Sequence, residues 1–305
     1  MARLLQFLRV VETALAPNGE RYRLLEKDLL APKITRYVVE APEVARARRA
    51  GQFVIVRPRE DSERIPLTIA DGEADTIVLV VQEVGKTTAV MADMTKGEAL
   101  ADVCGPLGEP THVSRVGTVA VIGGGIGIAP AHPIAQAMAA AGNHVIAILG
   151  ARTRELVIME EEMRRAAHET LVVTDDGSYG VRGLVTGGLE RLLAAGRRID
   201  QVVAIGPAVM MKSVAELTRV YGVPTLASLN SVMIDGTGMC GGCRVSVGGE
   251  TRFVCVDGPE FDAHRVDFDL LIRRQAMYRD EEKRAYDAYL DHRCRLHGRR
   301  AGTEA

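Results

Sequence analysis

Between residues 117 and 221 the sequence alternates short apolar runs with helical stretches, and that rhythm limits the possible folds more than any other feature. Residues 117–122 form a near-continuous apolar run, as expected for a strand buried on both faces. The pattern then predicts helices over 131–141, 155–167, 186–195 and 210–221, with strands over 144–149, 171–174 and 201–205 between them. Strict β–α alternation argues for a doubly wound parallel sheet, in which ligands bind beyond the carboxyl ends of the strands.

Upstream, residues 23–110 read as short β-rich runs separated by Gly and Pro, at 24–30, 34–39, 51–57, 64–71 and 76–84. They predict a small antiparallel barrel interrupted by one helix over 88–94. Residues 1–22 read as an extra helix or an arm. The end of the chain reads as one charged helix over 268–293 and a loose polar tail. The expected division is therefore an N-terminal extension (1–22), an antiparallel β-barrel (23–114), an α/β domain (115–228), a ligand-bearing segment (229–279) and a C-terminal tail (280–305).

That fourth segment holds the most specific chemistry. Asp235, Cys240, Cys243 and Cys255 are spaced D-x4-C-x2-C-x11-C. A plant-type [2Fe–2S] site uses C-x4-C-x2-C followed by a distant fourth Cys, so Asp235 stands where the first Cys would be. Two irons need four protein ligands, and soft thiolates are the usual donors. A carboxylate is a harder donor, so mixed ligation should change the potential. Wrapping three ligands around one small cluster needs tight turns, and Gly236, Gly238, Gly241 and Gly242 permit them. The alternative is a structural zinc site, since C-x2-C is also a zinc spacing. Zinc wants a second close pair of Cys or His, whereas Cys255 stands alone and the next downstream histidine is His264.

Composition excludes several classes. The chain of 305 residues carries a net charge of −2, no Trp and 4% aromatics, which argues against a nucleic-acid surface. No apolar run approaches the roughly 18–20 residues of a membrane-spanning helix, and the N-terminus lacks a signal-peptide core. Three of the five Cys in one loop fit a reducing, cytoplasmic setting better than a disulfide framework. Cys104 and Cys294 have no assigned role.

Other stretches invite phosphate. The glycine turn at residues 123–127 links a strand to a helix, where N–H groups can cradle an anion. Its spacing is not a clean G-x-G-x-x-G, and glycines there also serve plain helix-on-strand packing. Gly206-Pro207 forms a second turn at the same sheet edge. Asp175, with Asp176, ends another strand there and suits either a ribose or a turn cap. Arg152 and Arg154 follow the second strand, as partners of a 2′-phosphate or as surface charge. Arg64 and Thr68 share one face of a barrel strand, and Gly85-Lys86-Thr87-Thr88 opens a helix, which also has the look of an ordinary N-cap.

Arg64-Ile65-Pro66-Leu67-Thr68, the turn 123–130, Gly206-Pro207 and the Asp/Cys loop occur in the order seen in ferredoxin–NADP reductase-like proteins with a C-terminal [2Fe–2S] loop. The chain resembles that family over residues 23–279. One branch is the electron-transfer subunit of dihydroorotate dehydrogenase. The small subunit of NADH-dependent reduced ferredoxin:NADP oxidoreductase, also called a sulfide dehydrogenase subunit, looks closer, because it has R-x-P-L-T-I-A-D and an Asp with three Cys. The resemblance implies that Arg64, Pro66, Leu67 and Thr68 line FAD. It implies that Gly85, Thr87 and Thr88 hold the FAD phosphates. Gly124, Gly125 and Gly127 would admit NAD(P)H, with Asp175 and Gly206 nearby, and Asp235, Cys240, Cys243 and Cys255 would ligate the cluster. The implied function is an electron-transfer subunit passing electrons between NAD(P)H, FAD and the cluster. No side chain acts as nucleophile or general acid, because the protein's task is placement. The implied partner is a larger flavoprotein or iron–sulfur subunit of the glutamate-synthase small-subunit type, with ferredoxin reached indirectly. The alternatives are another acceptor, such as dihydroorotate dehydrogenase, sulfur or polysulfide, and a non-catalytic zinc scaffold.

Overall fold

Leu24–Ala31 (β1) and Ile34–Glu40 (β2) meet at a two-residue turn, where Lys33 takes φ +62° and Ala31 pairs with Ile34. A computed structural model describes the chain from residue 21 to residue 301, with side chains as far as residue 295. The reading of residues 1–22 as a helix or arm lies almost wholly outside the described residues; the tail expected to be loose is instead helical as far as Ala301.

The hairpin opens a six-stranded antiparallel sheet in the order β1-β2-β5-β4-β3-β6, with β3 at Phe53–Arg57, β4 at Ile65–Asp71, β5 at Thr76–Gln82 and β6 at Asp102–Leu107. Helix α1 (Pro42–Ala47) and helix α2 (Lys86–Asp93) cover it. The sheet curls around Leu24, Tyr37, Val54, Val56, Ile77, Leu79, Met91 and Leu100, all buried. This is the expected barrel-like module. Strand β6 and helix α1 were not expected: β6 contains Gly105-Pro106, a pair that reads as a turn.

The second sheet has seven strands in the order β10-β9-β8-β7-β11-β12-β15. Its members are β7 (Thr118–Gly124), β8 (His144–Ala151), β9 (Glu169–Thr174), β10 (Val181–Arg182), β11 (Gln201–Ile205), β12 (Thr225–Ser228) and β15 (Glu260–Asp262). All pairs are parallel except β12 with β15. Helices α3 (Ile128–Ala140) and α4 (Glu160–Ala166) cover one face, and α5 (Val185–Ala194) and α6 (Ala208–Val220) the other. The doubly wound expectation holds. One helix is shorter than the pattern over 155–167 predicts: Met159 adopts φ +51°, which α-helix excludes, so α4 begins only at Glu160.

The two modules share a wall. Strand β5 is buried on both sides: Ile77, Leu79 and Val81 face the barrel core, while Val78 and Val80 pack with Val119, Ile134 and Met138 of the α/β module. The C-terminal segment fills the opposite side. Hairpin β13 (Arg244–Val247) and β14 (Glu250–Phe253), the turn α7 (Val254–Asp257) and helix α8 (Phe268–Gln275) bury Val245, Val254, Phe268 and Leu271 against α6 and against Phe53 and Ile55 of β3. The last helix, α9 (Arg279–Ala301), is separate from α8, whereas the sequence reads as a single helix over 268–293.

Candidate functional site

The cluster loop is built by a hairpin. Cys243 directly precedes β13 and Cys255 lies two residues after β14. Gly248 and Gly249, both at positive φ (+61° and +83°), form the two-residue turn between them. Pairing of Arg244 with Phe253 then brings the two cysteines together, with Sγ atoms 3.2 Å apart. The eleven-residue spacing is thus two four-residue strands, a Gly-Gly turn and one further residue. Burial, and then the neighbouring Cys243 thiol, push the Cys255 thiol up to about 12 in the metal-free chain.

The other two ligand candidates pair through the backbone. One oxygen of Asp235 accepts from the Thr237 N–H at 3.0 Å, and the other from the Cys240 N–H at 2.7 Å. Burial opposes ionisation, yet these two donors outweigh it and hold the carboxyl below its ordinary value. Gly236 packs under the loop: a Cβ there would strike Leu107 and Ile55, so the loop lies directly on barrel strands β3 and β6. Helix α8 braces it from behind, with Arg274 donating to the Gly242 carbonyl at 3.1 Å and Gln275 to the Asn230 carbonyl at 2.7 Å. Among the described residues, no three His, Cys, Asp or Glu converge as a ready single-ion site. The four candidates instead form two pairs, and a donor set of three thiolates and one carboxylate on a glycine-rich loop fits a two-iron cluster.

The dinucleotide candidates gather at the carboxyl edge of the parallel sheet. The switch point lies between β7 and β11, where Gly123 pairs with Ile205. Gly125 takes φ +57°, and the turn runs into α3, whose N-terminus has no side-chain cap, leaving its first N–H groups for a ligand. The two glycine turns touch: a Cβ at Gly127 would overlap the Ile205 carbonyl and crowd Gly206, and one at Gly124 would overlap the Met210 sulfur. Asp175 stands exposed at the end of β9, two strands and about 10 Å from this point, on the same edge. Arg154 is turned aside, its guanidinium 5.2 Å from the Tyr179 ring centroid.

The barrel candidates occupy one end of their sheet. Arg64 is exposed, one residue before β4, and its guanidinium meets Asp102 at 3.0 Å. Pro66, Leu67 and Thr68 lie on β4 opposite Ile55, Val54 and Phe53. Because Ile69 pairs antiparallel with Leu79, Arg64 and Gly85 fall at the same end of neighbouring strands. Gly85 caps α2, and Thr88 Oγ1 accepts from both the Val84 and Gly85 N–H groups at 3.0 Å. Open space surrounds the Gly85 Cα, and the buried Thr87 hydroxyl has no partner, so the residues present fit an added phosphate group.

Two groups at the junction carry no local sequence signal. Buried His132 of α3 lies with Nδ1 3.3 Å from the Ala70 carbonyl of β4, joining the nucleotide helix to the barrel strand. Thr111 Oγ1 donates to Glu260 at 2.5 Å, and burial raises the Glu260 pKa although this bond works against it.

The comparisons agree with this layout. Residues 230–267 match the model of the iron–sulfur cluster binding domain of dihydroorotate dehydrogenase B, and residues 121–216 match that of the oxidoreductase NAD-binding domain. The first match favours iron over zinc in the loop. A dihydroorotate dehydrogenase B (NAD+) electron transfer subunit homolog from Thermotoga maritima is 44% identical, covering 88% of this chain and 95% of that protein. The dihydroorotate dehydrogenase B (NAD+) electron transfer subunit of Geobacillus thermodenitrificans is 34% identical over 81% of this chain and 98% of its own length. Among solved structures, a chain of the NADH-dependent reduced ferredoxin–NADP oxidoreductase, determined in work on flavin-based electron bifurcation, superposes with a TM-score of 0.85. It is 41% identical and covers 90% of this chain and 100% of its own. No helix among the described residues is long and apolar enough to cross a membrane. The chain therefore belongs to the family of dihydroorotate dehydrogenase B electron-transfer subunits and their homologues, as an oxidoreductase subunit with the NAD(P)H, FAD and iron–sulfur cofactors of that class.

Proposed function

We propose that this chain is the small subunit of a two-component electron-transfer enzyme whose larger partner is a flavoprotein or iron–sulfur subunit of the glutamate-synthase small-subunit type. When bound, FAD would supply the acceptor for hydride from NAD(P)H, and the cluster would supply one-electron transfer. The chain's residues do the placing. Gly124, Gly125, Gly127 and Gly206 let the nucleotide approach the backbone at the switch point, with Asp175 at the ribose end. Arg64 and the end of α2, at Gly85, Thr87 and Thr88, take the FAD phosphates, while Pro66, Leu67 and Thr68 line the ring. Asp235, Cys240, Cys243 and Cys255 would hold the cluster. The modules divide near residues 114 and 228, with the cluster segment running to about 279.

The observation that carries this reading is the seat of Gly236 on Leu107 and Ile55: it sets the ligand loop on the barrel strand next to Thr68, across which Phe53 pairs. The outer side of the loop is apolar and open. Met239 is 89% exposed and Ile234 55%, with Val232 and Val256 beside the exposed Cys240. Such a patch suits a docking partner.

The test is an anaerobic visible spectrum of the purified chain, with flavin, iron and zinc quantified on the same sample. FAD with iron, bleached by NADH, is the expected result. Asp235→Ala should lose most of the iron and Asp235→Cys should keep it. A colourless protein containing zinc would overturn the reading. The subunit that co-purifies decides between this partner and a dihydroorotate dehydrogenase.

A further inference from the structure

Helix α9 is fastened to the barrel by side-chain contacts. Tyr286, Tyr289 and Arg293 lie three, four and seven residues apart, hence on one helix face. The Tyr286 hydroxyl donates to Glu83 at 2.6 Å, and Lys33 Nζ donates to that hydroxyl at 3.2 Å. The Tyr289 hydroxyl donates to Asp93 at 2.8 Å. Arg293 spans the two acids, 3.0 Å from Asp93 and 3.8 Å from Glu83.

Glu83 and Asp93 bracket α2. Glu83 stands two residues before Gly85, and Asp93 is the last residue of the helix. Their charges work against an anion there. Glu83 repels a phosphate at the positive end of α2, and Asp93 faces the negative end of the same helix dipole. Arg293 offsets both. From the inner side, Lys27 Nζ donates to the Ala92 and Met94 carbonyls at 2.6 and 2.7 Å, and the Tyr37 hydroxyl to the Met91 carbonyl at 2.9 Å. Helix α2 is thereby held from two sides, and open space remains at its N-terminal Gly85.

We propose that α9 is a strap that secures α2 and neutralises Glu83, so that Tyr286, Tyr289 and Arg293 are positioning residues for the FAD pyrophosphate. The proposal rests on the assignment of Gly85, Thr87 and Thr88 to that group. It links FAD affinity to a C-terminal helix that packs on α2 of the barrel.

The test uses the full-length chain and FAD, with the dissociation constant read from flavin fluorescence at low salt. Arg293→Gln should weaken FAD about fivefold to tenfold, an effect that shrinks as salt is added. Arg293→Lys should stay within about twofold of wild type, because the charge remains. Tyr286→Phe with Tyr289→Phe keeps the aromatic packing, removes three hydrogen bonds and should weaken FAD about threefold. The decisive variant is Glu83→Gln with Arg293→Gln, which should recover most of the lost affinity, an outcome that loss of packing alone does not give. Iron content and NADH affinity should not move. If wild type binds FAD and both Arg293→Gln and the double Phe variant match it within twofold, the strap is inert and the proposal fails. If Arg293→Gln weakens FAD but Glu83→Gln does not rescue it, the electrostatic role fails. A wild-type chain that binds no FAD overturns the assignment of Gly85, Thr87 and Thr88, and the strap with it.

Discussion

Glu260 and Asp235 are both carboxylates near the cluster segment, and their surroundings push them in opposite directions. Asp235 has two N–H donors on its oxygens and is held in the charged form. Glu260 has burial against it and a single hydroxyl donor, so its pKa is raised. A raised carboxyl pKa means that the folded chain binds the proton more tightly than the unfolded chain. The stabilisation is then complete below the ordinary glutamate range and is lost as pH rises through the folded value. Glu260→Gln imitates the protonated side chain and can still accept from Thr111. It should therefore leave the Tm unchanged near pH 4 and raise it near pH 8 by about 2–4 °C, the size of a gain of roughly 1 kcal/mol. Thermal unfolding at the two pH values checks this. A variant less stable than wild type at pH 8 means that the Glu260 carboxylate has a charged partner in solution.

At the scale of elements, the glycine turn shows what a sequence reveals and what it hides. A Cβ at Gly127 would meet the backbone carbonyl of Ile205, which cannot swing aside as a side chain would. Gly127→Ala should cost about 1–3 kcal/mol of stability through overpacking. It should also weaken NADH at least tenfold by parting the two turns, with iron content unchanged; calorimetry and NADH titration read these effects. Unchanged NADH affinity would show that the nucleotide does not use this turn. The turn was legible because glycines between an apolar run and a helix repeat a local pattern. The candidate ligand set was legible for a similar reason, since the spacing of Cys243 and Cys255 is the length of one hairpin. Strand β6 was not, because Gly105-Pro106 reads as a turn. The break between α8 and α9 was not, because Ala276, Met277 and Tyr278 include neither Gly nor Pro. The pairing of Thr111 with Glu260 joins residues 149 apart, and no periodicity encodes such a contact.

For the whole molecule, the question is what fixes the barrel against the α/β module, since electron transfer needs their ligands in register. The shared wall of Val78 and Val80 is apolar and slides easily by itself. Directional restraint comes from His132, buried in α3 and facing the Ala70 carbonyl, with Asp71 3.9 Å away. Strand β4 carries Pro66, Leu67 and Thr68 a few residues earlier, and α3 follows the nucleotide turn directly. This hydrogen-bonding contact thus ties the strand proposed to line FAD to the helix that follows the proposed nucleotide turn. His132→Leu should fold, because the site is apolar around the ring and the volumes are similar. Its FAD and iron contents should equal those of wild type, and NADH should still bind. The rate of flavin bleaching by NADH should fall about tenfold to a hundredfold, because a displacement of about 1 Å is enough to spoil a reactive alignment. His132→Asn, which can place an amide nitrogen near the position of Nδ1, should recover part of that rate. Anaerobic stopped-flow absorbance on the three proteins measures this directly. Equal rates would mean that His132 does not set the register of the two modules.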